Sequence, residues 1–302
     1  MATFDPSIFK IRSQEEFDLY KQLTVQTDAL LATTLELWAP VWEALRVGVR
    51  ERRLLATLNT AGYDSSGSVL ILVENGKVWD AAKLCRTTLE SSLRFIKLLS
   101  ASDENDAFAE WFGPLDDAAW LRMHRKVEAY LAVLPEGPEF EGARATLESM
   151  LLSDEEAAEM SSRTPRKIRR QIEERWNATK ILTELAEISV FEKHIVSDFH
   201  FFYLKWSASS HANPLAVASY HERSHRPEPH RTWADLSSAA TSCKHVYHLS
   251  LLKLMTAYRS CGLDIRPIYE SAVDNELDVT VSYIMERHYE LEYGTSDMEA
   301  GS

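Results

Sequence analysis

The sequence predicts an all-α fold, one multi-helix bundle of about nine or ten helices forming a single domain over residues 1–302. Three observations predict it. Only 10 Gly and 10 Pro punctuate the chain, which leaves little room for the frequent turns of a sheet protein. The one hairpin-like dipeptide, Asn75-Gly76, is flanked by SVLILVENG and KVWDAAKLCRTTLESSL, and both flanks carry helical periodicity. Two strongly apolar stretches, LCRTTLESSLRFIKLL and DFHFFYLKWSASSHANP, hold polar residues four apart, the spacing of one helix face.

Each element follows in order. Ser13 with Glu16 three residues later is a capping-box pattern, opening a helix to about Trp38. Pro40 suits the first turn of the next helix, Val41 to about Asn59, where its missing N–H is not needed. Tyr63 to Gly67, YDSSG, reads as a loop with N-cap candidates, and a short helix then runs to Glu74. Gly76 stops it, and a long helix spans about Val78 to Leu99. The SDEN run from Ser102 supplies the next turn and cap. Gly113-Pro114 is the next break, and a helix from about Asp116 to Val133 ends at Pro135 to Pro138. One or two helices lie between Phe140 and Ile188, interrupted at Ser161 to Pro165, and residues 135–170 are expected to be more mobile. The aromatic helix runs from about Lys193 to Ala212 and stops at Asn213-Pro214. Tyr220 to Trp233, rich in His and Arg and holding two prolines, reads as a loop. A long helix from about Ala234 stops at Gly262, a last one spans about Ser271 to Tyr293, and the tail GTSDMEAGS frays.

Bulk properties exclude several classes. A formal net charge of −13 weighs against a dedicated duplex-DNA binder, which carries a basic footprint. Cys85, Cys243 and Cys261 are scattered in helical contexts and fit reduced core thiols rather than a disulfide framework. No apolar leader or membrane-length run occurs, Val69 to Val73 being the longest candidate, so a cytoplasmic protein without membrane contact is expected. Phosphate loops, dinucleotide fingerprints and kinase signatures are absent, and no cofactor or metal is assigned.

Two polar constellations stand out. Arg86, Glu90, Arg94 and Lys97 share one narrow stripe of an otherwise apolar helix. One reading is a solvated ladder, worth about 0.3–0.5 kcal/mol per pair. The other is a stripe facing a cleft, where Arg86 binds an anion and Glu90 orients it or acts as a base. On the aromatic helix, a wheel at about 100° per residue sets Asp198, Lys205 and Ser209 on the solvent side. His200, Ser207 and His211 fall opposite, with Leu204, flanked by Phe199, Phe202 and Trp206 on one edge and Phe201 on the other. Such histidines are either core groups satisfied by neighbours or titratable groups beside a carboxylate. Ser207 lacks a Gly-flanked elbow, which favours hydrogen bonding over nucleophilic attack.

Two further runs invite chemistry. His221 and His225 have the spacing of two metal ligands on a helix, but the prolines beyond them favour a flexible polar loop. Arg163, Arg166, Lys167, Arg169 and Arg170 offer a phosphate-tracking surface, or else a solvated helix start neutralised by Glu173 and Glu174.

The order of AAKLCRTTLESSLRFIKLL, with Arg-x-x-x-Glu, and FFYLKWSASSHANP, with Ser-x-x-x-His, resembles an uncharacterised bacterial family of helical domains of unknown function, the 5677 family. The resemblance covers roughly Ala61 to Val217 and implies Arg86, Glu90, Ser207 and His211 as characteristic positions, with no assigned reaction. A looser likeness is to the HEPN ribonucleases of toxin and defence systems, whose Arg and His meet at a dimer interface. The literal hit, Arg223-x6-His230, lies in the Pro-broken segment. These likenesses imply a metal-independent ribonuclease in which His211 is the general acid/base, Arg86 holds the phosphate and Glu90 orients one of them. His200 and Ser207 complete that site, and RNA and a second copy of the chain are the implied partners. A helical binding protein with a structural polar network is the alternative, and a metal-dependent hydrolase using His200, His211 and the 221–230 segment is a third.

Overall fold

Ser13 caps the first helix as its position predicts: the hydroxyl accepts the Glu16 N–H at 3.1 Å, and α1 runs Gln14–Glu36. The computed structural model describes residues 13–100, 104–186, 192–210, 214–273 and 275–294. The turn expected at Ser102, the stop at Asn213 and the tail from Thr295 lie outside the described residues. Among the described residues every regular element is helical. After α1 come α2 (Ala39–Ala44), α3 (Val49–Glu74), α4 (Val78–Ser100), α5 (Glu104–Glu110) and α6 (Asp116–Leu131). Then follow α7 (Glu141–Glu148), α8 (Asp154–Arg163), α9 (Arg166–Arg175), α10 (Ala178–Ala186) and α11 (Glu192–Ser210). The chain closes with α12 (Pro214–Ser224), α13 (His230–Ser260), α14 (Arg266–Ala272) and α15 (Glu276–Tyr293). The fold is all-α, but its segments outnumber the nine or ten expected.

Several boundaries differ from expectation for physical reasons. The helix expected over residues 41–59 breaks after Ala44, where Arg52 donates to the Trp42 and Leu45 carbonyls at 3.0 and 2.8 Å and so closes the turn. The expected YDSSG loop is instead the middle of α3. Ser66 and Ser68 bond back to the carbonyls of Gly62 and Asp64, so their hydroxyls are satisfied within the helix. Gly113-Pro114 does not break the chain: Trp111–Leu115 forms a π-turn that absorbs the missing proline donor between α5 and α6. The expected 220–233 loop shrinks to residues 225–229, because α12 continues to Ser224 and α13 begins at His230. Residues 135–170 carry α7, α8 and a 3-10 turn at Pro138–Phe140. Gly76 adopts φ 61°, a conformation that favours glycine, and closes α3 by donating to the Val73 carbonyl at 2.7 Å.

The chain divides into two compact units, residues 100–181 and the remainder. In the smaller one, buried Asp117 of α6 accepts Arg163 at 2.7 Å and Thr164 at 3.5 Å, which anchors the joint between α8 and α9. Glu110 receives both Arg175 and the Trp176 indole. The basic run is thus largely engaged: Arg163 pairs with Asp117, Arg169 bonds the Thr164 carbonyl, and Arg170 pairs with Glu174.

The larger unit is built around α13, which α1, α3 and α15 pack against. From Leu249 to Met255 every residue of α13 is buried, so this stretch is enclosed on all sides. Lys253 lies in that stretch, 1% exposed. Its Nζ bonds Asn59 Oδ1 at 2.9 Å and sits 4.7 Å above the Tyr63 ring. Gly62 makes room for it, since a Cβ there would stand 2.8 Å from Nζ. Tyr63 in turn meets Thr34 at 2.8 Å and the Trp38 indole at 3.1 Å, which ties α1 to α3. All three cysteines are free, and burial pushes the Cys85 and Cys243 thiols up to about 12, so neither is a thiolate at neutral pH. No helix among the described residues is long and apolar enough to cross a membrane.

Burial lowers the Lys253 ammonium to about 7 from 10.5. Between those values the unfolded chain binds the proton that the folded one releases, so this lysine's contribution to stability rises with pH across that window. The stability of wild type minus that of Lys253→Met should therefore increase by about 1.4 kcal/mol per pH unit between pH 7 and 10. Urea unfolding of both proteins at pH 7, 8 and 9 measures it, and a constant difference would mean that the amine stays charged in the core.

Candidate functional site

Within the larger unit, α4 and α11 meet through a three-residue polar cluster. Arg86 Nε donates to Glu90 Oε1 at 2.9 Å, one turn apart on α4. From α11, the Tyr203 hydroxyl donates to the same oxygen at 3.3 Å, and the Arg86 guanidinium lies 5.5 Å from the Tyr203 ring centre. The Arg86 and Glu90 side chains are 19% and 28% exposed, which is neither a solvated ladder nor a sealed core. Further along the stripe Arg94 is exposed, and Lys97 pairs with Glu184 at 3.0 Å. Burial, and then the Glu90 charge, raises the Tyr203 phenol above its usual value, so it remains a proton donor at neutral pH.

The seat of α11 explains this junction. Phe199, Phe202 and Trp206 enclose the His245 ring of α13 with centroid distances of 5.3, 4.4 and 5.1 Å. That aromatic edge, not the His200–Ser207–Leu204 face, points to the core. His200 and Ser207 are consequently half-buried rather than buried, and Leu204 and Phe201 are exposed at 58% and 64%. Relative to the sequence wheel the helix is turned by about a quarter of a revolution, because three large rings gain more by burial than one leucine does. Asp198 and Lys205 are exposed as expected. Tyr203, three residues from His200 and four from Ser207, stands on their side of the helix, toward Arg86 and Glu90. His211 lies outside the described residues, as does the Ser209 side chain.

Sequence reasoning missed Tyr203, His245 and Lys253. Tyr203 was legible as the residue between His200 and Ser207 at helical spacing. Lys253, in LSLLKLM, was legible as a lone charge in an apolar run. For the metal reading, His221 and His225 are exposed and their rings stack at 4.0 Å, with the His225 Nδ1 held 2.8 Å from the His221 carbonyl. That arrangement occupies one ring nitrogen. Among the described residues no three His, Cys, Asp or Glu side chains gather as a metal would need.

Two outcomes follow. Glu90→Gln should cost about 1 kcal/mol, less than a sealed ion pair would, because water reaches both partners. A thermal melt against the surface control Glu174→Gln measures it, and a cost several times larger would mean that the pair is closed off in solution. Burial lowers His245 to about 3 from 6.5, so below pH 6.5 the unfolded chain takes up the proton first and stability is lost. Relative to His245→Leu, wild type should lose about 1.4 kcal/mol per pH unit from pH 6 to 4. Equal acid sensitivity of the two proteins would show that the cage admits water.

The model of a family of unknown function (DUF5677) matches residues 52–228. Comparison with curated proteins and with solved structures finds no match.

Proposed function

The chain belongs to the DUF5677 family, and on that premise we propose that it is a metal-independent, HEPN-like ribonuclease of the bacterial cytoplasm, acting as a toxin or phage-defence effector. The observation that supports this reading is the partly exposed Arg86–Glu90–Tyr203 cluster. A network serving stability alone gains from being sealed, whereas this one leaves a guanidinium within reach of solvent. In the proposed reaction Arg86 binds the scissile phosphate and stabilises the charge that builds on it. Glu90 holds the guanidinium in register, and Tyr203, kept protonated, offers a hydrogen bond beside it. His211, next in sequence after Ser210, acts as the general acid/base in this reading, with His200 and Ser207 as hydrogen-bonding neighbours. RNA is then the substrate, and a second copy of the chain would complete the site.

The alternative, a binding protein with a structural network, draws on the fact that Glu90 already accepts from both Arg86 and Tyr203. Expression of wild type, Arg86→Lys and His211→Ala in bacteria separates the two. The nuclease reading expects growth arrest and RNA fragmentation with wild type, and about 10²–10⁴-fold slower RNA cleavage by purified His211→Ala at an unchanged melting temperature. Arg86→Lys should fall between them, since lysine keeps the charge but not the fork. Intact RNA with all three proteins, together with melts far below wild type for the variants, would assign the cluster to structure.

A further inference from the structure

Two imidazoles stand exposed and face to face at the end of α12, in the larger unit. His221 and His225 are one helical turn apart, and their ring centres lie 4.0 Å from one another with planes inclined by 22°. The backbone keeps its helical course through the pair, since the His225 N–H donates to the His221 carbonyl at 3.2 Å. The same carbonyl accepts the His225 Nδ1 at 2.8 Å and the Ser224 hydroxyl at 2.9 Å. A carbonyl only accepts, so the His225 Nδ1 carries the proton and its Nε2 holds the lone pair. Among the described residues the His221 ring makes no hydrogen bond, so it can turn and present either nitrogen.

A histidine is prepared as a metal ligand in this way. The hydrogen bond from one ring nitrogen to a backbone carbonyl fixes the tautomer and aims the other nitrogen outward. Two imidazole nitrogens bound side by side to one ion at about 2.0–2.1 Å stand about 3 Å apart. Rings that already stack at 4.0 Å reach that spacing by a small rotation of His221, so little side-chain freedom is lost on binding. The charges around the pair do not oppose a cation. Arg223 is held by Asp235, and Arg226 by Glu222 and Glu292. The C-terminal end of α12 adds the negative pole of its dipole.

We propose that His221 and His225 form a chelate site for an exchangeable divalent transition-metal ion, with copper(II) bound most tightly. The ion takes one nitrogen from each ring and keeps water in its remaining positions. Two ligands fall short of what a resident structural or catalytic metal needs, in accord with the lack of a larger ligand cluster among the described residues. Imidazole selects copper, nickel and zinc over magnesium and calcium, which prefer oxygen, and copper(II) heads the order for a given nitrogen site. Bridging two residues four apart also fastens the last turn of α12. The site uses neither Arg86, Glu90 nor Tyr203, so it stands or falls separately from the nuclease reading.

The test titrates the full chain with copper(II), nickel(II) and magnesium chlorides, read by calorimetry and, for copper, by electron paramagnetic resonance. In wild type a copper ion should bind with the nitrogen couplings of two imidazoles, nickel should bind more weakly, and magnesium should not bind. His221→Gln and His225→Gln should each weaken copper binding by about 10²-fold, as much as the double variant does, because either loss removes the chelate. His230→Gln, which alters a histidine beside Glu292, should leave it unchanged. Both rings are exposed, so the variants should melt with wild type in the absence of metal, and nickel should raise the melting temperature of wild type alone. Copper affinity unchanged in either single variant, binding lost in two independent halves, or a spectrum with one imidazole overturns the proposal.

Discussion

A stretch of helix buried around its whole circumference has to find partners for the charge it carries, and in α13, from Leu249 to Met255, that charge is Lys253. Lys253 meets Asn59 and Tyr63 of α3, which sets the axial position of that helix to within a side chain. Tyr63 then gathers Thr34 of α1 and Trp38 from the turn before α2, and the Tyr258 hydroxyl bonds the Leu37 carbonyl at 2.9 Å, fixing the far end of α1. Toward its other end α13 offers His245 to α11 and Asp235 to α12. Apolar contact alone would let these helices slide by a turn at little cost. The polar groups do not, because each mispairing leaves a buried donor or charge unmet, at about 1–3 kcal/mol or more.

The α4–α11 junction inherits its geometry from this arrangement. With Phe199, Phe202 and Trp206 committed to His245, the side of α11 that carries Tyr203 is left to face α4, where Arg86 and Glu90 project. At this junction the ion pair stays within reach of water. The accessibility of the cluster is thus set by where the aromatic weight of α11 falls.

Most of the helices were legible, because caps and apolar periodicity act locally, though α12 and α14 were not read as helices. Ser13, Gly76 and Gly262 mark real boundaries, and the Arg86–Glu90 pair was readable from spacing alone. The failures were non-local. YDSSG has the composition of a loop, and only the burial of Gly62 and the tertiary bonds of Tyr63 hold it helical. The inward face of α11 was misjudged because a wheel counts all apolar residues alike and cannot know that a histidine sits where the aromatic edge lands. His245 and Lys253, both on α13, were passed over within a helix that reads as ordinary core.

The closeness of Gly62 to the Lys253 amine links two positions 191 residues apart in the chain. A side chain larger than hydrogen at one requires a shorter or displaced side chain at the other, and a glycine at 62 without a long polar residue at 253 leaves an empty pocket beside Ser92, whose hydroxyl has no partner among the described residues. Among descendants of a common ancestor they should change together, so their joint states would divide a lineage into subgroups that no single-site comparison reveals.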